Sequence, residues 1–263
     1  SILIVGGTDC TDEFEALHSS KAWKMLEDYY LGELDANGGG GGDGSIAPPT
    51  TIDISDKPGM NGGAPITLDP SKYVELPLIK KDCISHDTRL FRFALPSPQH
   101  MLGLPVGQHL FLRADIAGKK VMRAYTPLDS GAGYVDFVIK VYFANVHPRF
   151  PEGGKLTQHL ERMNIGDKIA VKGPLGEYIF HPANPPSFTH TPSGNKFGFD
   201  TIGFIAGGSG ITPVLQTARA LLEDASIRVK IMILYANRTE ADILCHDTLK
   251  QIDELPNVHV WYT

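Results

Sequence analysis

The sequence predicts an antiparallel β-barrel followed by a doubly wound parallel sheet that is begun but left incomplete. Three observations carry that prediction. Six segments of period-two hydrophobicity, separated by Gly and Pro, lie between residues 72 and 176, and from about Phe197 a β-α-β-α-β order takes over. Ahead of both runs a stretch of about 35 residues dominated by Gly, Pro, Ser, Thr and Asp, too polar to offset its own ordering entropy.

The barrel segments are KYVELPLIKKDCIS, DTRLFRFALP, GQHLFLRADI, KKVMRAYTP, YVDFVIKVYF and DKIAVKGPLG. Each alternates or stays apolar over a strand's length, as a barrel or sandwich requires. TQHLERM, after GGK, is a helix-like turn between the fifth and sixth. TIGFIAGG then reads as a buried parallel strand, PVLQTARALLED as a helix, RVKIMILYANR as a second strand, DILCHDTLKQIDEL as a helix and VHVWYT as a third strand. At the N-terminus, residues 12–34 carry Phe14, Leu17, Trp23, Met25, Leu26, Tyr29 and Leu34, with Ser19 or Ser20 able to cap the second of two short helices. Such a pair is too small for a core of its own. The chain starts inside the apolar run SILIVGG and ends on a strand, so a portion of a longer polypeptide is expected.

Composition narrows the function. With 263 residues and 42% hydrophobic content the chain can bury one large core or two ordinary ones. A net charge of −6 argues against a surface that neutralises nucleic-acid phosphates. Cys10, Cys83 and Cys245 are odd in number and widely spaced, which fits neither a disulfide framework nor a zinc site but suits reduced thiols in a cytoplasmic protein. No apolar run approaches the roughly 20 residues of a membrane span.

Three motifs carry chemistry. RAYTP sets Arg123, Ala124, Tyr125 and Thr126 at a strand end that Pro127 terminates. A polar barrel rim would explain those residues alone, but a flat aromatic ligand with a diphosphate would use all of them: Tyr125 to stack, Thr126 to hydrogen-bond, Arg123 to neutralise. In PEGGKLTQHL, glycines allow close backbone approach, Lys155 adds charge, and a helix opens at Leu156 and Thr157 with free N–H groups. A plain turn before a helix would look the same. In GFIAGGSGITPVLQ, a glycine turn of Gly207, Gly208 and Gly210 joins a buried strand to a helix beginning Thr212–Pro213, without the usual G-x-G-x-x-G spacing.

Taken together, RAYTP, VIKVYF, VHPRFPEGGKLTQHL, GPLGEY, AGGSGITPVLQ and YANRTEADIL closely resemble the NADH-cytochrome b5 reductase family of ferredoxin-reductase-like flavoproteins. The resemblance implies a barrel that binds FAD and a parallel-sheet domain that binds NADH or NADPH. It implies that Arg123, Ala124, Tyr125 and Thr126 meet the flavin and its phosphates, and that Val138, Lys140 and Tyr142 line the adenine dinucleotide side. Gly154, Lys155, Leu156 and Thr157 match the family's phosphate loop. Gly207, Gly208, Gly210 and Pro213 shape the nucleotide turn, and Thr212 matches the threonine that touches the flavin during hydride transfer. The family's C-terminal C-G-P-P-P-M type segment does not occur.

Residues GGTDCTDEFEALHSSKAWKMLEDYYLGEL resemble the second half of a cytochrome b5 domain, in which His18 would be one of two axial ligands to haem iron. The first ligand's H-P-G-G motif does not occur, so haem is expected only in a longer parent. A cytochrome b5 domain tethered to such a reductase resembles eukaryotic assimilatory nitrate reductases. That implies an upstream molybdenum cofactor domain, electron flow from pyridine nucleotide through FAD and haem to molybdenum, and a homodimeric parent. The expected organisation is 1–35 cytochrome b5 remnant, 36–73 hinge, 74–188 FAD-binding barrel and 189–263 NAD(P)H-binding portion. The rivals are a cytochrome b5/reductase fusion without molybdenum, and an interaction module that holds no cofactor.

Overall fold

The computed structural model describes residues 63–263 except 147, 149 and 225. His18, the two short helices and most of the hinge lie outside the described residues. The described residues form one compact unit.

Strands β1 (Val74–Cys83), β2 (Thr88–Ala94), β3 (His109–Ile116), β4 (Lys119–Tyr125), β5 (Asp129–Gly131), β6 (Tyr134–Lys140) and β7 (Lys168–Leu175) make one antiparallel sheet. Its order is β4-β3-β7-β1-β2-β6-β5, so the two edge strands are consecutive in the chain. Four Cα–Cα steps from Tyr125 to Asp129 span at most about 14 Å. Seven strands laid flat would separate their outer edges by about 29 Å. The sheet must therefore curl into a half-barrel, and RAYTP with Pro127 sits where its edges approach. Leu76, Leu78, Phe91, Phe93, Leu110, Leu112, Phe137 and Ile139 fill the interior. Helix α1 (Lys155–Arg162) adds Leu156 and Leu160 to that core. The Lys81 ammonium donates to the carbonyls of Glu161 (2.7 Å) and Met163 (2.9 Å), where the helix dipole is negative.

Next comes a small antiparallel sheet of β8 (Tyr178–His181), β9 (Ser187–His190) and β10 (Asn195–Gly198), which sequence periodicity did not anticipate. Phe188 lies against Phe180 and stacks on Phe199, with ring centroids 5.3 and 5.5 Å apart.

The parallel sheet follows in the expected order of elements, β11 (Thr201–Gly207), α2 (Ile211–Glu223), β12 (Lys230–Ala236), α3 (His246–Asp253) and β13 (Val258–Tyr262), paired β11-β12-β13. However, β11 is an edge strand with only Ala206 buried, where TIGFIAGG was expected to be a buried strand. One face buries Ile231, Ile233, Tyr235 and Val258 with Ile211 and Leu215 of α2 and Leu249 of α3. The opposite face presents the cross-strand row Ile205, Leu234 and Trp261, of which Ile205 is 85% exposed. The second helix is shorter than DILCHDTLKQIDEL suggested. Cys245 adopts a left-handed conformation (φ 56°) and Ile243 is extended, so helical geometry starts only at His246.

The two lobes share a core. β6 is buried on both faces: Val135, Phe137 and Ile139 point into the barrel, while Val138 joins Leu90, Val106 and Leu128 against α2. Three polar links cross the same junction. The Gly107 N–H donates to Gln216 Oε1 (3.0 Å), Arg219 donates to the Leu128 carbonyl (2.7 Å), and Lys140 pairs with Asp242 Oδ1 (2.8 Å). Gln216 and Arg219, three apart on α2, share one helix face.

Tyr235, fully buried, donates its hydroxyl to the Gly208 carbonyl (2.7 Å) and accepts from the Leu244 N–H (3.3 Å). Tyr235→Phe should cost about 1–3 kcal/mol, since it orphans groups the hydroxyl now satisfies. Urea unfolding measures it, and an unchanged midpoint would show that the hydroxyl holds nothing. Asp242 gives a pH prediction. Hydrogen bonding from Lys140 foremost, then from Thr239, holds its carboxyl at about 2. A depressed carboxylate stabilises the fold above its unfolded value and loses that contribution as pH falls through its folded value. The gap in urea midpoint between wild type and Asp242→Asn should be full above about pH 4 and narrow as the pH drops toward the folded value.

Candidate functional site

The barrel lip, the β8–β10 sheet and the glycine turn of the parallel sheet enclose one cavity of about 910 Å³, within the range of small-molecule sites. Barrel strands supply Ala124, Tyr125, Thr126 and Val138, together with Gly107, Gln108 and His109 at the start of β3. Tyr178, Phe188 and Phe197 make an aromatic side. Phe204, Ile205, Ser209, Gly210, Thr212 and Pro213 make the wall opposite the lip.

Each wall has a local cause. β4 ends at Tyr125 because Thr126 and Pro127 leave the ladder, which sets the half-buried Tyr125 and Thr126 side by side at the curl's edge, where both line the cavity. Burial pushes the Tyr125 phenol up to about 12, so it stays protonated at neutral pH. Its ring meets Phe137 of the barrel core edge-on at 6.4 Å. Gly107 has φ +88°, and a Cβ there would lie 3.2 Å from the Tyr178 carbonyl, so glycine brings β3 hard against β8. Burial also depresses the His109 imidazole, leaving it neutral at neutral pH. Across the cavity, the Gly208 turn held by Tyr235 leads into α2. No side chain caps the α2 N-terminus and its first turn has no acidic residue. The Ile211 N–H is taken up by the Gly208 and Ser209 carbonyls and Pro213 has none, so it is the positive end of the helix dipole that favours a negative or polar ligand. The buried Thr212 hydroxyl donates to the Ser209 carbonyl (3.3 Å).

Of the residues singled out in the sequence, Ala124, Tyr125, Thr126, Val138, Gly210, Thr212 and Pro213 line this cavity. The rest stand elsewhere. Arg123 lies beside the lip on β4, its guanidinium donating to the Met122 carbonyl (2.6 Å). Gly207 ends β11 and Gly208 opens the turn. Lys140 sits in the interlobe ion pair. Tyr142 packs against the loop before α1, where a Cβ on Gly153 would collide with the Tyr142 carbonyl. That loop is tightly tied: the Gly154 N–H donates to Tyr142 O (2.8 Å), and Thr157 Oγ1 donates to Gly154 O (3.1 Å) and accepts from the Tyr142 N–H (3.2 Å). Lys155 is exposed, while Leu156 is buried in the barrel core, so only its backbone can face a ligand. The sequence reading treated GQHLF only as a strand and so missed Gly107, Gln108 and His109. The glycine before a strand was the available signal.

No Asp, Glu, Cys, Lys or Arg is among the described residues lining the cavity. The walls offer aromatic surface, hydroxyls, amides and backbone donors, which suits holding a flat polar cofactor rather than supplying a nucleophile or acid pair. A flavin's ring and polar edge fit that donor set, and the uncapped α2 terminus fits a dinucleotide's polar groups.

Comparisons with known proteins agree with this geometry. Residues 75–180 match the oxidoreductase FAD-binding domain, residues 204–263 the oxidoreductase NAD-binding domain and residues 1–35 the cytochrome b5-like haem/steroid binding domain. The whole chain is 43% identical to a nitrate reductase [NADH] of Volvox carteri, and 97% of it aligns at 41% identity with a nitrate reductase [NADPH] of Phytophthora infestans. It spans about 30% of the length of the first of these relatives and 27% of the second. Among solved structures, the cytochrome b5 reductase domain of Ulva prolifera nitrate reductase superposes with a TM-score of 0.70 at 42% identity, over 76% of this chain and 75% of that one. On that coverage, with the FAD- and NAD-binding families matched in order along it, the chain belongs to the nitrate reductase family, within the part that comprises the cytochrome b5 reductase domain.

Proposed function

We propose that this chain takes a hydride from NADH or NADPH onto FAD and passes electrons on, in a nitrate-reducing polypeptide whose haem b and molybdenum cofactor receive them in turn. The observation that carries the proposal is a cavity with Tyr125 and Thr126 on one wall and Gly210, Thr212 and Pro213 on the other. FAD would supply the ability to accept two electrons as hydride and release them singly. The rest is positioning by the chain. Tyr125 and Thr126 hold and orient the ring, and Arg123 with the Gly154–Thr157 loop meets the diphosphate. The Gly207–Gly210 turn and Thr212 seat the nicotinamide where it can reach the flavin. Phe188, packed between Phe180 and Phe199, gives the cavity an apolar side.

The same reading assigns residues 1–35 to a cytochrome b5 portion with His18 as an axial haem ligand, 36–73 to a hinge, 74–188 to the FAD domain and 189–263 to the nucleotide domain. The end of the hinge docks on the barrel, where the Thr67 and Leu68 N–H groups donate to the Met101 and Leu102 carbonyls and Leu68 joins the core. Residues 1–35 match the cytochrome b5 family, which supports the first assignment. Relatives named for NADH and for NADPH occur at similar identity, so the reading leaves the choice between them to measurement. The parent would be a cytoplasmic homodimer, as the resemblance implies.

Two measurements test the proposal. The purified chain should show flavin absorption between about 350 and 600 nm that bleaches on adding NADH or NADPH. Retained flavin bands that neither nucleotide bleaches would rule out hydride transfer by this chain, and absent bands would rule out the FAD site. Arg123→Ala should weaken FAD binding by about 10- to 100-fold, the loss of a charge-assisted contact of roughly 1.5–3 kcal/mol. Fluorescence titration reads it, and unchanged affinity would remove Arg123 from the site.

A further inference from the structure

Lys140 closes β6 two residues after Val138, on the same outward face. Val138 lines the cavity, whereas the Lys140 ammonium sits outside it between two carboxylates, 2.9 Å from Asp87 Oδ2 and 2.8 Å from Asp242 Oδ1. Those carboxylates belong to different lobes. Asp87 precedes β2 and is held by the Thr88 and Ser85 hydroxyls (3.1 and 3.3 Å), and its carbonyl accepts from the Val141 N–H (2.6 Å). Asp242 ends the 3-10 turn after β12, with its other oxygen accepting from Thr239 Oγ1 (2.8 Å). Ligand atoms of His86, Asp87 and Asp242 lie within 4.8 Å of one another, a spacing that could hold a cation. The Lys140 ammonium is the cation that the two carboxylates hold.

The link does not stop at Asp242. Two residues on, the Leu244 N–H donates to the Tyr235 hydroxyl, which donates to the Gly208 carbonyl of the turn opposite the barrel lip. The other crossings, from Gln216 and Arg219, end on backbone groups and are not ion pairs.

We propose that Lys140 is a positioning residue: its ammonium, shared between Asp87 and Asp242, sets how closely the glycine turn that seats the nicotinamide stands to the flavin wall. The inference rests on the hydride-transfer reading above. It assigns Lys140 to the geometry of transfer rather than to direct contact with the dinucleotide. Displacing one reacting partner by about 1 Å is enough to slow such a step about 100-fold.

The test uses Asp242→Asn, nearly isosteric, in the full 263-residue chain. FAD content should be unchanged and the KM for NADH little altered, while the limiting rate of flavin bleaching falls about 10- to 100-fold. Amide hydrogen exchange over residues 205–213 should quicken, a readout independent of turnover. Lys140→Gln should reproduce both effects and Lys140→Arg, which keeps the charge, should restore most of the rate. An unchanged limiting rate overturns the proposal. So does a lowered KM for NADH, which would mean that Lys140 released from Asp242 binds the dinucleotide itself. Should the wild-type chain fail to bleach, the hydride reading falls, and exchange alone then decides: faster exchange in Asp242→Asn supports the clasp, unchanged exchange overturns it. If Asp242→Asn does not fold, Thr239→Val, which removes only the hydroxyl orienting Asp242, is judged by the same exchange and rate criteria.

Discussion

Everything in the described structure depends on β6 being buried on both faces. A strand in a half-barrel usually has a dry face and a wet one, and β6 has no wet face along Val135–Ile139. Its inward residues fill the barrel while Val138 is shared with the core beneath α2. The lobes therefore cannot separate without exposing apolar surface at roughly 25 cal/mol per Å². Their mutual placement is part of the fold, and the cavity between them is a consequence of that placement.

Curling of the sheet supplies the other half of the geometry. Because β4 and β5 are the outer edges and only three residues join them, the edges must approach, and the residues at the end of β4 are left on an open lip. An edge normally invites further strand pairing. Pro127 removes a donor there, and the lip instead faces the parallel sheet across a gap lined with aromatic rings and hydroxyls. A site whose described residues give aromatic and hydrogen-bonding walls but no Asp, Glu, Lys or Arg is one in which the bound group does the chemistry, and the protein contributes distance and orientation.

Charge is used at the margin of this site rather than inside it. Lys140, Asp87 and Asp242 form their cluster where the lobes meet, and Arg89 with Glu161 ties β2 to α1 at 2.9 Å. Partly buried pairs of this kind add little net stability over a well-packed apolar contact, but they permit few alternative geometries. The glycine turn is steadied in a similar way by the Tyr235 hydroxyl from within the sheet core.

The order of elements was legible in the residues themselves. Alternation in DTRLFRFALP and GQHLFLRADI, the run TIGFIAGG before a glycine turn, and the helix read in PVLQTARALLED all reappear as strands, turn and helix, the helix starting two residues earlier at Ile211, because local periodicity and backbone freedom act over a few residues. Of RAYTP and GSGITP, both singled out in the sequence, Ala124, Tyr125, Thr126, Ser209, Gly210, Thr212 and Pro213 line one cavity. Periodicity could not reveal β5 or β8–β10, whose three- and four-residue strands are too short to show a period, nor the late start of α3, set by one left-handed residue at Cys245. Nor could it place Lys140, whose partner Asp242 is 102 residues away, or Tyr235, which bonds Gly208 across 27. Sequence by itself determined which segments form strands, turns and helices, since those preferences are local. Only the tertiary structure decided which ends of those segments meet around one cavity, because that depends on which faces are buried against each other.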